Sequence, residues 1–160
     1  MFREMRRKKQ LLSEGDTTAI LEQGTNGILS CLGDEDYPYG VPISYVYHRE
    51  KIYFHSAKSG HKMDAFRRHS KVSFTVVNQD TIVSAEYTSY FRSAIAFGEV
   101  RMVEGEETKE GFRALVEKYS GDQPEESKQY EMDNCSGALI LAIDIHHLTG
   151  KEAIELVKGK

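Results

Sequence analysis

The feature that most constrains this chain is a succession of about six β-type runs separated by short polar breaks. Residues 26–32 form the first. A polar break at 33–36 follows, and then 39–47, whose tyrosines and β-branched residues suit a pleated surface, so the two read as a hairpin. After His48, Arg49 and Glu50, residues 51–56 repeat the pattern and extend the meander. Residues 71–77, a looser segment around Gln79 and Asp80, the long run 89–103 and the apolar run 137–145 complete the series. Helical periodicity is confined to three places. One helix starts at Ser13 with Asp16 in an acidic first turn, stops at Gly24, and turns Ala19, Ile20 and Leu21 inward. Residues 60–69 do the same with Met63, Ala65 and Phe66, and residues 106–119 with Phe112, Leu115 and Val116. Strands in sequential order, with helices too few and too irregularly placed for repeated βαβ units, predict a mainly β fold: an antiparallel β-barrel with peripheral helices.

A chain of 160 residues buries roughly 70% of its unfolded surface, enough for one barrel core, so residues 1–160 read as a single domain. Residues 1–10, with basic side chains from Arg3 to Lys9, read as a solvated, loosely packed start. A net charge of -4 repels nucleic acid and anionic membrane, so an anionic ligand has to be met by a local group of donors. No apolar stretch is long enough to span a bilayer. Cys31 and Cys135 form no CxxC pattern, which makes the cytoplasm the expected location.

Two local features bear on a site. Pro42 sits inside a strand-type run, where it donates no ladder hydrogen bond, so the strand there is bent, bulged or at an edge. Residues 53–62 pass from a strand through a polar loop into a helix start. Ser56, Ser59, Lys58, Lys62 and the first helix amides supply donors for a phosphate, and Gly60 permits close backbone approach. The residues alone leave phosphate capture and a solvated loop both open. His146 and His147 are adjacent on extended backbone and lack a third ligand, which argues against a metal centre. Neither cysteine has a neighbour that would activate a thiol, and Tyr37, Tyr39, Tyr45, Tyr47, Tyr53, Tyr87 and Tyr90 read mainly as packing residues.

Several stretches together resemble the FMN-binding split barrels related to pyridoxamine 5'-phosphate oxidase, with a likeness to the nitroimidazole-resistance reductases among them. They are residues 37–47 (Tyr-Pro-Tyr-Gly-Val-Pro-Ile-Ser-Tyr-Val-Tyr), 52–57, 60–64, 71–77, 90–100 and 148–152, in the family's order and covering about nine tenths of the chain. The resemblance implies FMN, with Val41, Pro42, Ile43 and Ser44 against the flavin ring. It sets His55, Ser56, Ala57, Lys58, His61 and Lys62 around the ribityl chain and phosphate, Lys62 foremost. It brings the strand of Arg92 and Ser93 towards flavin at the seam of a homodimer, with alternation allowing one of the two to face it directly. The implied activity is reduction of a small planar acceptor, such as a nitroaromatic or quinone-like compound, with a nicotinamide as a potential donor. A non-catalytic flavin-binding or redox-sensing module and a histidine-ligated haem barrel are the alternatives. The arginines that bind substrate phosphate in true pyridoxamine-phosphate oxidases are missing from residues 151–156, which argues against vitamin B6 oxidation.

Overall fold

The computed structural model describes residues 1–134 and 139–158. Helix α1 (Glu14–Gln23) starts where the Ser13 hydroxyl accepts from the Asp16 N–H at 3.1 Å, and it stops at Gly24. It buries Thr17, Ile20 and Leu21, and leaves Ala19 half-buried. Strands β1 (Asn26–Leu32) and β2 (Pro38–Ser44) form the expected antiparallel hairpin, from Asn26 opposite Ser44 to Leu32 opposite Pro38, around a 3-10 turn at Asp34–Asp36.

The run 39–47, which reads as one strand, is divided. Tyr45 separates β2 from β3 (Val46–His48), and β3 pairs with β4 (Lys51–Ser56). Helix α2 (His61–Arg68) leads to β5 (Lys71–Val83) and β6 (Thr88–Met102), and β7 (Leu139–Glu152) follows after two further helices. All neighbouring pairs are antiparallel, in the order β2-β1-β5-β6-β7-β4-β3. The two ends of that order are two halves of one extended segment, one residue apart. The sheet therefore has to roll until its edges meet, which makes it a barrel. Pro42 lies on a strand at one end of this order, in keeping with its missing donor.

Two bulges alter the predicted boundaries. Gln79 and Asp80 belong to β5, because an irregularity at Asn78 shifts the pairing from Val77 opposite Ser93 to Gln79 opposite Arg92 and lets the ladder continue. β7 runs past residue 145 to Glu152, and His146 is its extra residue, with Phe97 facing His147 and Gly98 facing Ile145. Residues 137–138 of the predicted closing strand, and Cys135, lie outside the described residues. Helix α3 (Glu106–Ser120) matches its amphipathic pattern, whereas α4 (Glu125–Asn134) and the short α5 (Ile154–Lys158) do not announce themselves. α4 buries only Lys128, so it has no apolar stripe to read.

The barrel interior, closed by α1 and α2, holds Leu29, Tyr45, Phe54, Met63, Phe74 and Ile143, each almost completely buried. A second cluster under α3 joins Val46, Tyr53, Val103, Leu115, Ile140 and Ala142. Arg101 pins α3 to the barrel: its guanidinium donates to both Glu107 oxygens at 2.8 Å and to Asp144 at 2.6 and 3.2 Å. That guanidinium is the main reason the Glu107 carboxyl is held down to about 2. Within the first ten residues, Gln10 is buried and donates to the Glu152 carbonyl at 2.8 Å, and the Phe2 ring stacks on His147 at 4.6 Å.

Tyr45 donates its hydroxyl to the Leu21 carbonyl at 2.7 Å inside the core. Tyr45→Phe leaves that carbonyl without its partner, and urea unfolding is expected to show a loss of about 1–2 kcal/mol; an unchanged midpoint contradicts the assignment. Glu107 has a depressed folded value, so its contribution is complete above its unfolded value of 4.5 and fades as pH falls towards about 2. Across that window stability should fall less in Glu107→Gln than in the unaltered chain, as followed by acid titration of circular dichroism.

Candidate functional site

β4 ends at Ser56, and residues 57–60 turn the chain into α2. Ser56 is 3% exposed and its hydroxyl has no hydrogen-bond partner among the described residues, a costly condition for a buried polar atom. Gly60 precedes α2 with φ 124 and ψ 172, a conformation that favours glycine, and no side chain caps the helix. The first amides of α2 therefore point outward unfilled, at the positive end of the helix dipole. Lys58 is exposed and Lys62 half-buried, and neither ammonium has an ion-pair partner among the described residues. A buried unpaired hydroxyl, uncapped amides and two uncommitted ammoniums constitute a donor set suited to a phosphate.

His61 has a definite task at this corner. Its ring stacks on Tyr39 of β2 at 4.2 Å, and its Nε2 lies 3.3 Å from the Asp34 backbone N–H, placed to accept from it. Arg68, the last residue of α2, reaches the Asp34 carboxylate at 2.9 Å. Together these contacts hold both ends of α2 against the β1–β2 hairpin, and they set His61 beside Tyr39 of β2.

On β2 the alternation sorts the four residues expected at a ring. Val41 and Ile43 are half-buried and pack on the barrel core, while Pro42 and Ser44 are exposed on the other face. A flat ring lying on the outer face thus meets Pro42 and Ser44 by side chain, and Val41 and Ile43 through backbone. Ala57 is exposed on the connecting loop. Ser44 and His55 open onto one cavity of about 910 Å³ between the barrel and the α3–α4 pair, with Phe112, Leu115, Tyr119 and Tyr130 on its far wall. His55 is exposed and has no hydrogen-bond partner among the described residues.

Arg92 and Ser93 are not part of this cluster within one chain. β6 is separated from β2 by β1 and β5, and Arg92 borders a different cavity of about 400 Å³ under α1, with its Nε 3.2 Å from the Glu152 carboxylate. Ser93 faces Val77 and Lys151 across the ladder. Of the cavity wall, Phe112 and Leu115 are legible as the inward stripe of α3, whereas Tyr119 and Tyr130 carry no sequence signal that sets them apart from packing tyrosines. Cys31 is buried, and burial pushes its thiol up, away from nucleophilic use. No helix among the described residues is long and apolar enough to cross a membrane, and they contain no group of three or more side chains fit to hold a metal ion.

Residues 13–152 match the family model described as pyridoxamine 5'-phosphate oxidase. No curated protein matches the chain. Among solved structures it is similar to a candidate 5-nitroimidazole antibiotic resistance protein from Bacteroides thetaiotaomicron, with TM-score 0.75 and 22% identity over 89% of this chain and 86% of that one. A conserved hypothetical protein from Mycobacterium tuberculosis superposes with TM-score 0.81 at 19% identity, covering 98% of this chain and 94% of its own. An FAD-binding protein from Mesorhizobium loti gives TM-score 0.60 at 22% identity over 90% and 97% of the two chains. At these identities the likeness is one of fold.

If the Ser56 hydroxyl serves a ligand rather than the fold, Ser56→Ala is expected to leave urea stability unchanged or raise it by up to about 1 kcal/mol, since it removes an unsatisfied polar atom. A clear loss of stability would assign the hydroxyl to the fold instead.

Proposed function

This chain belongs to the pyridoxamine 5'-phosphate oxidase family, and from that premise we propose that it holds FMN and acts as an oxidoreductase. The observation that carries the reading is the buried, unpaired Ser56 hydroxyl at an uncapped helix start, beside Lys58 and Lys62. These groups bind the phosphate, Lys62 by its ammonium and α2 by its first amides. The ribityl chain runs past Ala57 and His55, and the ring lies against Val41, Pro42, Ile43 and Ser44, with the large cavity beyond it. His61, stacked on Tyr39, sets the angle between β2 and the phosphate end and stands at the phosphate by its backbone amide.

Bound flavin supplies hydride and single-electron chemistry by itself, so the chain's own part is to bind, orient and shield it. A cavity of about 910 Å³ is of the size that small ligands occupy, which leaves room beside the ring for a planar acceptor such as a nitroaromatic or quinone-like compound, or for a nicotinamide donor. The solved neighbour from Mesorhizobium loti is an FAD-binding protein, which supports a flavin. Association into a homodimer is supported by the β5–β6 hairpin, where Val77, Ile82 and Tyr87 are 62%, 80% and 97% exposed. In such a dimer Arg92 and Ser93, which stand apart within one chain, approach the partner's flavin.

The purified protein is expected to be yellow or to take up FMN with quenching of the free flavin's fluorescence. Lys62→Ala should weaken that binding by about 1.5–3 kcal/mol, the scale of a hydrogen bond to a charged group. Light scattering should give twice the mass of the 18.2 kDa chain. A colourless preparation that takes up no FMN overturns the reading, and a Soret band in its place points to a haem held through a histidine such as His55.

A further inference from the structure

The barrel side of the large cavity is nearly neutral, with Ser44 and His55, but the side built by α4 is not. Glu126 and Glu131 both line the cavity, both are exposed, and neither carboxylate has a hydrogen-bond or ion-pair partner among the described residues. Lys128 is the only lysine or arginine on the wall among those residues, and it is already committed. Its side chain is 10% exposed and its ammonium lies 2.9 Å from Glu117 and 2.9 Å from Glu125, so it offers no free positive charge to an incoming molecule. Ser120, Gln123 and Ser127 add neutral polar groups, and the remaining surface is apolar and aromatic, from Phe112, Leu115, Val116, Tyr119 and Tyr130.

We propose that this cavity is the subsite for the acceptor and that Glu126 and Glu131 make it select cationic aromatic molecules over anionic ones. The inference rests on the flavin reading only for the word acceptor; the charge selection follows from the wall itself. Aromatic faces take a flat ring, and a cation over a tyrosine ring gains further attraction. A carboxylate or phosphate on the same ring meets two uncompensated negative groups, whose repulsion is felt most at low ionic strength. The two ends of the site thus differ in sign. The α2 end takes an anion and the α4 end disfavours one, so a phosphorylated cofactor enters in one orientation, and an acceptor with an anionic group on its ring is poorly received.

The test uses three probes of one shape, 4-nitrobenzylamine, 4-nitrobenzyl alcohol and 4-nitrobenzoate, whose binding to the flavin-loaded protein is measured by calorimetry at low ionic strength. The amine should bind about tenfold more tightly than the benzoate, with the alcohol between them, and added salt should compress the series. Joint replacement Glu126→Lys and Glu131→Lys should reverse the order. Val116→Trp, which fills the cavity from α3, should weaken all three. Equal affinities, or an order that survives the double replacement, overturn the proposal; so does absence of binding by every probe. Repeating the series on flavin-free protein separates the two readings. Charge selection without FMN uptake defeats only the flavin, and FMN uptake without charge selection defeats only this subsite.

Discussion

The structure depends on one covalent fact: the segment from Pro38 to His48 supplies both ends of the sheet. β2 pairs with β1, β3 pairs with β4, and Tyr45 alone lies between them. Whatever stabilises Tyr45 therefore stabilises closure of the barrel. Its ring is fully buried, meets Phe74 edge-on at 4.8 Å and lies 4.3 Å below the Lys118 ammonium. Its backbone N–H donates to the Tyr119 hydroxyl at 2.9 Å, and that hydroxyl is within donating reach of the Thr25 and Tyr45 carbonyls. A residue that leaves the ladder on both sides would otherwise expose unpaired backbone groups, and α3 supplies the partner.

This closure also places the site. Tyr45 turns inward, and its neighbour Ser44 faces outward at the end of β2, onto the cavity. The same helix that satisfies the Tyr45 backbone through Tyr119 walls that cavity with Phe112 and Leu115. Lys118, one residue earlier, donates to the Gly24 carbonyl at the end of α1, and burial lowers its affinity for a proton. α3 is thus held at both ends, by Arg101 near its start and by Lys118 and Tyr119 near its end. A wall positioned by the barrel's own closure is a rigid boundary for a ligand.

Much of this was legible in the sequence, and the illegible parts share a cause. Alternation, caps and polar breaks located α1, the first hairpin, α2 and the long β6, because each is a local pattern with a local reason. The strand class and the family likeness were readable in the same way. The division at Tyr45 was not, since residues 39–47 keep a strand-type composition throughout and only the pairing partner changes. The continuation of β5 through Gln79 and Asp80 and of β7 through His146 depends on bulges, which register reveals and composition does not. α4 is polar on nearly every side, so no periodicity marks it.

The candidate site divides along the same line. Its proposed phosphate end is written contiguously from His55 to Lys62: a strand end, a loop with Gly60 at positive φ and a helix start are neighbours in the chain. The resemblance sets His61 at the ligand, and its ring also stacks on Tyr39 and accepts from the Asp34 N–H, contacts that arise only when the β1–β2 hairpin folds back. The cavity end has no contiguous origin at all. Ser44, His55, Tyr119 and Tyr130 come from four elements and meet only once the barrel has closed. A candidate site half local and half tertiary has a physical consequence: the proposed anion-binding half keeps its geometry wherever the strand–loop–helix unit is kept, while the shape and charge of the other half vary with how α3 and α4 are set against the barrel.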